Sequence, residues 1–271
     1  MGRMPFTLSH PAAVLPLLAG ARARGPLVAS ALIAGSMAPD LPFFADSLAH
    51  GAYRHGALAH RWWAVPTVDV VLAGALVAGW HGLLREPLVA LLPERWAGAA
   101  EAMTARGGAG GGLERAGWFA VSAAVGAATH VGWDGFTHSG RYGVALLPVL
   151  DSRVAGVPLY TVLQYGSSAV ALGYLARYAA REARRVAPAP APVPAPGARR
   201  AGAAVLGAAT VAGVVHRLAR RERGLIAEVC FGAGAGLAVG AVGYATAVRL
   251  FTVRRGARPD SAPARPRRPP A

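Results

Sequence analysis

Long apolar stretches, separated by short segments that carry arginine, constrain this chain more than any other feature. A membrane-spanning helix needs roughly 20 mostly apolar residues, and only structures that satisfy their own backbone hydrogen bonds cross a bilayer. Suitable stretches occupy residues 5–20, 26–44, 64–84, 116–133, 158–178, 201–216 and 225–250. We therefore expect an all-α fold, a polytopic transmembrane helical bundle with about six or seven apolar segments. The first stretch contains three prolines, so it either spans the membrane or forms a re-entrant segment.

The charged residues lie between the apolar stretches and in the C-terminal tail. The chain has 28 basic residues, all arginine, against 13 acidic ones, and its net charge is +15. Nucleic-acid binding would require a basic face on a soluble fold, so we expect no nucleic-acid partner. If all seven stretches cross, one side of the membrane carries 19 arginines and the other carries 9. The side richer in arginine is the cytoplasmic one, which predicts a multi-pass protein of the plasma membrane with a cytoplasmic C-terminus.

A change of composition near residue 186 divides the chain. Residues 1–185 contain the first five stretches and form the predicted membrane core, and residues 186–200 are a linker rich in proline and alanine, which is extended and semi-rigid. Residues 201–250 form a C-terminal transmembrane helix pair, and residues 251–271 a tail rich in arginine and proline that we expect to be disordered. We expect the core to remain inserted when residues 187–271 are deleted, and the tail to meet membrane lipid.

Histidine and aspartate residues at the ends of several apolar stretches are the candidates for chemistry. His130 and Asp134 are four residues apart and share one helix face. Asp40 ends one stretch and His60 precedes the next, while His10 lies within the first. The predicted topology places all five on the extracytoplasmic side. Imidazole and carboxylate together suit a divalent metal, with zinc favoured over manganese or iron.

Structural interpretations of the same residues remain open. His130 could hydrogen-bond Asp134, His10 could be the first residue of a helix, and Asp40 could cap the turn that follows it. His138 could fold back toward Asp134 or point to solvent. Asp69, inside an apolar stretch, is expected to have a structural partner.

Several long motifs are similar to those of a known family. They are MPFTLSHPAAVLPL (4–17), GSMAPDLPFF (35–44), REPLVALLP (85–93), THVGWDGFTHSGRYGVALLP (129–148) and PLYTVLQYGSS (158–168). Over roughly residues 4–180 the chain resembles the bacterial membrane family called domain of unknown function 4184. That family is similar in layout to inner-membrane proteins described as metal-dependent hydrolases, and the late His-x-x-x-Asp also resembles the ligand pattern of zinc-dependent phospholipase C.

The resemblance implies a set of metal ligands. On this chain they are His10, Asp40, His60, His130 and Asp134. Relatives commonly have histidine followed by serine before the third membrane segment, whereas this chain has AHRWWAVP at 59–66. His55 is therefore an alternative to His60.

Two functions are consistent with these features. The first is a metal-dependent hydrolase that acts on a lipid-like ester or phosphoester at the membrane surface, with Asp134 and Asp40 as catalytic carboxylates. The second is a non-catalytic membrane protein, such as a transport component or a scaffold, in which the same histidine and aspartate residues form a structural network.

Overall fold

Helices make up most of the fold, which confirms the all-α class. The computed structural model describes residues 7–105, 112–194, 196–220, 222 and 224–256. The expected disordered tail at 251–271 lies largely outside these residues. Within them, the only strands are two antiparallel hairpins with strands of two residues each.

The first quarter of the chain is built from short pieces. A 3-10 helix at Thr7–Leu17 leads into a hairpin of β1 (Leu18–Ala19) and β2 (Arg22–Ala23). Then follow α1 (Ala29–Gly35), a 3-10 turn (Ala38–Asp40), α2 (Leu41–Ala45) and α3 (Tyr53–Ala59). Prolines explain the breaks, because each lacks a backbone N–H; Pro11 and Pro16 lie inside the first 3-10 helix and Pro39 lies in the 3-10 turn.

The remainder of the chain consists mainly of long helices. They are α4 (Val68–Gly79), a π-helical turn (Trp80–Leu84), α5 (Arg85–Val89), α6 (Glu94–Met103), α7 (Leu113–Thr137), α8 (Tyr142–Leu146), a 3-10 turn (Pro148–Asp151), the hairpin of β3 (Arg153–Val154) and β4 (Val157–Pro158), α9 (Leu159–Arg185), α10 (Ala198–Arg220) and α11 (Leu225–Gly256).

Three helices among the described residues are long and apolar enough to cross a membrane. They are Val68–Val89, Ala198–Arg220 and Leu225–Phe251. The expectation of six or seven such segments is therefore not supported. Residues 5–20 and 26–44 are divided into short pieces, while α7 is long enough but carries Ser122, Thr129 and His130 in its interior, which lowers its apolar character.

Glycine allows α1 and α7 to cross at very short range. A Cβ atom on Gly126 would lie 2.2 Å from the carbonyl oxygen of Leu32, and one on Gly35 would lie 2.1 Å from that of Ala123. Side chains cannot occupy such gaps, so the two backbones touch through their glycines. The last turn of α1 is thereby held beside the middle of α7.

The C-terminal helix pair packs through small residues and is tied to the N-terminal part by buried charge. Gly213 and Gly236 let α10 and α11 approach within backbone contact. Arg217, fully buried, donates to Asp46 at 2.7 Å and to Glu228 at 2.7 Å. Burial alone would raise the pKa of the Asp46 carboxyl, but the Arg217 guanidinium and two backbone N–H groups hold it below the usual value.

Contacts between connecting segments fall into two groups. Asp46 meets α10 near Arg217 at one end of the molecule. At the other end Gly98 accepts a hydrogen bond from the N–H of Ala189 in the linker, and Arg249 of α11 donates to the carbonyl oxygen of Leu83. The proposed boundary near residue 186 stays a prediction.

Candidate metal centre

Four side chains from three separate segments meet in the interior. Asp40 comes from the 3-10 turn before α2, His60 follows the last residue of α3, and His130 and Asp134 lie one turn apart on α7. One donor atom from each lies within 4.8 Å of the others, and all four residues are buried. This buried group could hold a metal ion.

The two histidines of this group are oriented by backbone carbonyls. His130 Nδ1 lies 2.7 Å from the carbonyl oxygen of Ser36, and His60 Nδ1 lies 2.8 Å from that of Gly56. A carbonyl oxygen can only accept, so each Nδ1 carries a hydrogen and the Nε2 of each ring faces the two carboxylates. Metal-binding histidines are commonly fixed in this way.

The spacing of the four donors fits a small cation. His60 Nε2 is 3.5 Å from Asp40 Oδ1 and 3.2 Å from Asp134 Oδ2, and His130 Nε2 is 3.4 and 3.5 Å from the same two oxygens. Tetrahedral ligands at bond lengths of about 2.0–2.1 Å lie about 3.3–3.4 Å apart. The four nitrogen–oxygen separations are therefore compatible with ligands of one small divalent cation.

Several atoms of the cluster lack a hydrogen-bond partner among the described residues. They include Asp40 Oδ1, Asp134 Oδ1 and His130 Nε2. Buried polar atoms are nearly always paired, because leaving them unpaired costs about 1–3 kcal/mol each. The second oxygen of Asp40 is oriented by the hydroxyl of Thr7, which donates to it. Asp40 Oδ1 and His130 Nε2 lie 3.4 Å apart, so a cation bound between them would satisfy both atoms.

His10 joins the cluster at its edge. Its ring stacks on that of His130 with centroids 3.7 Å apart, and its Nε2 lies 3.6 Å from Asp134 Oδ1. His60 and His130 both approach the other oxygen of the Asp134 carboxylate, Oδ2. All five residues singled out in the sequence thus come together, although His10 stands outside the group of four, and whether each acts as a ligand or catalyst stays a prediction.

His138 and Gln164 extend the polar network in a way the sequence left open. His138 folds back toward α7, so that Nδ1 lies 3.5 Å from Asp134 Oδ1, and its Nε2 lies 3.1 Å from the Gln164 amide nitrogen on α9. Burial lowers the pKa of the His138 imidazole, and the nearby Asp134 carboxylate only partly offsets this. The sequence does contain a signal for this extension, because Thr161, Gln164 and Ser168 recur at helical spacing and therefore share one face of α9.

The alternative histidine lies elsewhere. His60 belongs to the cluster, whereas His55 is exposed beside Arg54. Burial disfavours the charged form of His60, but Asp134 and Asp40 outweigh it and hold its pKa above the usual value. Asp69 is buried at the start of α4, and neither of its carboxylate oxygens has a hydrogen-bond partner among the described residues, so the expected structural partner is not found there.

The fold and the cluster define a class: an all-helical protein with apolar helices of membrane-spanning length and a buried centre of two histidines and two aspartates. The chain belongs to the family described as domain of unknown function (DUF4184), whose model matches residues 4–246. The match extends through most of α11, beyond the motifs at 4–180. Comparison with curated proteins and with solved structures gave no match.

Proposed function

We propose that the chain is a multi-pass membrane protein that uses one divalent metal ion, with zinc favoured, to hydrolyse an ester or phosphoester of a lipid-like substrate. The spacing of the four donors of Asp40, His60, His130 and Asp134, 3.2–3.5 Å between each histidine nitrogen and carboxylate oxygen, carries the proposal. No redox-active or nucleophilic side chain is needed for such a reaction.

The residues divide into holding and reacting groups. His60 and His130 would hold the ion through Nε2, with Asp40 Oδ1 and Asp134 Oδ2 as further ligands, and hydrolysis would need one more position that is open to water. When bound, such an ion polarises an ester or phosphoester oxygen and makes a water molecule more acidic. Asp134 Oδ1, which has no hydrogen-bond partner among the described residues, would accept the proton from that water. His138, 3.5 Å from the same oxygen, would orient the Asp134 carboxylate.

The multi-pass arrangement has support from the contacts of α7. Val68–Val89 starts next to the cluster and is 22 residues long, which corresponds to about 33 Å. His130, in the C-terminal part of α7, lies beside His60, and His60 precedes Val68–Val89 in the chain. If Val68–Val89 crosses the bilayer, α7 must cross back. The surrounding apolar helices favour a substrate that partitions into the bilayer.

A structural role is the second candidate, and the burial of the cluster favours it. His10, Asp40 and His130 are 0% exposed and Asp134 is 1% exposed. In that case the ion would hold the 3-10 turn before α2, the end of α3 and α7 together without meeting substrate.

Metal content measured by mass spectrometry tests the shared premise. The protein is purified in detergent without chelator, as wild type and as His130→Ala and Asp134→Ala. Asp151→Ala, which removes an exposed carboxylate, is the matched control. We expect a stoichiometric transition metal in wild type and control and its loss from both cluster variants. Metal-free wild type, or equal metal in all four proteins, would refute the metal centre.

Activity separates the two candidates once metal is found. Chromogenic esters and phosphodiesters in mixed micelles are offered to the loaded protein and to the protein stripped by chelator. Turnover that disappears with the metal supports the hydrolase. A protein that holds metal, loses thermal stability when stripped and cleaves none of these substrates supports the structural role.

A further inference from the structure

A second polar feature lies far from the metal centre, between the first hairpin and the C-terminal half of α9. A cavity of about 270 Å³ is lined by residues that include Gly20, Arg24, Arg177, Tyr178, Arg181 and Glu182. The α9 members recur at intervals of three and four residues, so they form one helix face. Pockets for drug-sized ligands are about 300–1,000 Å³, so this cavity suits a small polar group.

The charges of the cavity are unbalanced. Its single carboxylate, Glu182, lies 3.4 Å from Arg185, which neutralises both. Arg24 donates its Nε hydrogen to the carbonyl oxygens of Pro16 and Leu18, which directs the guanidinium across the hairpin. Among the residues that the structure describes, Arg177 and Arg181 have no ion-pair partner. Three cationic groups therefore face the cavity without a matching anion.

The hairpin gives the cavity a defined wall. Gly20 has a positive φ of 66° in the turn between β1 and β2, a conformation that favours glycine. The hydroxyl of Tyr178 donates to the carbonyl oxygen of Gly20 at 2.9 Å. This bond fixes the turn against α9, so the arginines are presented by a preformed groove and not only by a solvated helix surface.

The location also selects the ligand. Gln164, which is hydrogen-bonded to His138, and Arg181 are separated by 17 residues of α9, or about 26 Å. The cavity therefore lies at the opposite end of the helix from the metal centre, in the group of segments predicted to be cytoplasmic. Basic pockets at that face bind phospholipid head groups.

We infer that this cavity binds the phosphate of an anionic phospholipid head group, held by Arg24, Arg177 and Arg181. Guanidinium groups bind phosphate oxygens through paired N–H donors. The inference is independent of the proposed hydrolase, since no residue of the cavity belongs to the metal centre.

Lipid binding to full-length protein in detergent tests it. Phosphatidylglycerol and phosphatidylcholine are compared by native mass spectrometry and by thermal shift, with sn-glycerol 1-phosphate as the soluble arm. The variant is Arg177→Gln/Arg181→Gln. The control is Arg199→Gln/Arg200→Gln, which makes the same charge change at exposed residues of α10. All four arginines are exposed, so folding, checked by circular dichroism, should be unaffected.

We expect phosphatidylglycerol to bind wild type and control alike and to lose at least about tenfold in affinity for the cavity variant, because two charge-assisted contacts are removed. His130→Ala should bind like wild type. Equally tight binding of glycerol phosphate would assign the site to a soluble phosphate ester and overturn the lipid. Equal phosphatidylglycerol binding by the cavity variant and its control would overturn the site itself.

Discussion

His130 donates from Nδ1 to the carbonyl oxygen of Ser36 at 2.7 Å, across 94 positions of sequence. Ser36 is the residue that ends α1, and its carbonyl oxygen is free for a side chain because helix ends leave such groups without an intrahelical partner. The hydrogen bond selects the ring nitrogen that faces the two carboxylates. The end of one helix therefore determines which atom of another helix is offered to a metal.

Substitution of Gly126 should disturb this relationship. Gly126→Ala places a methyl group 2.2 Å from the backbone of Leu32, so α1 must move, at a cost of about 1–3 kcal/mol for such overpacking. We expect a lower midpoint of thermal unfolding and reduced metal content. Gly117→Ala in the same helix is the control, because nothing lies within 4 Å of its Cβ position and alanine favours helix. Equal unfolding midpoints and metal content for the two variants would contradict the tight crossing.

The choice between His60 and His55 can be tested directly. His60→Ala removes a ring nitrogen 3.2 Å from Asp134 Oδ2, so the purified variant should lose its metal. His55→Ala removes an exposed ring of the same helix and should keep it. Both are measured by elemental analysis of the same detergent preparation. Loss of metal from His55→Ala, with retention in His60→Ala, would reverse the assignment.

The buried Arg217 should contribute strongly to stability. Arg217→Ala leaves the Glu228 carboxylate buried without its cation and leaves Asp46 with Arg220 alone, 3.4 Å away; breaking a buried ion pair typically costs about 3–5 kcal/mol. Thermal unfolding in detergent and the amount of protein recovered from membranes report this loss. Arg199→Ala, at an exposed position of the same helix, should have little effect. Adding Asp46→Asn and Glu228→Gln to Arg217→Ala should recover part of the loss, and no recovery would argue against charge burial as the cause.

The orientation of the chain is testable with reporters. We expect green fluorescent protein fused after Ala271 to fluoresce in a bacterial host, and alkaline phosphatase inserted at Gly51 to be active. Both follow from the 19 arginines on the side that includes the C-terminus. The chain between Gly51 and the C-terminus crosses the membrane three times if only the three long apolar helices cross, and five times if all the predicted stretches do. Both numbers are odd, so Gly51 and the C-terminus lie on opposite sides in either case. An active phosphatase at the C-terminus together with a dark fluorescent fusion would invert the topology.

The sequence predicted the cluster of histidine and aspartate residues better than it predicted the path of the chain. His130 and Asp134 share a helix face by their spacing alone, and the expectation that Asp40 and His60 lie near them came from their positions at the ends of apolar stretches. The breaks at Pro11, Pro16 and Pro39 were visible, yet hydropathy averages over such breaks and so counted the stretches 5–20 and 26–44 as spans.

Long-range partners could not be predicted. Nothing in the local pattern of α10 connects Arg217 with Asp46, and Arg217 in an apolar helix reads as an ordinary topogenic charge. The inward turn of His138 likewise depends on Gln164, which belongs to another helix. Side-chain partners of this kind are decided by packing between helices, and a periodicity within one helix carries no information about it.

During synthesis, Asp46 is made well before Arg217, with which it pairs in the folded protein. The two residues are 171 positions apart, and a ribosome adding about 5–20 residues per second needs roughly 10–30 s to make that length of chain. For this interval the Asp46 carboxylate has no guanidinium to meet, so it has to stay in contact with water or with lipid head groups. The last two helices therefore deliver the counter-charge that lets the earlier part of the chain close.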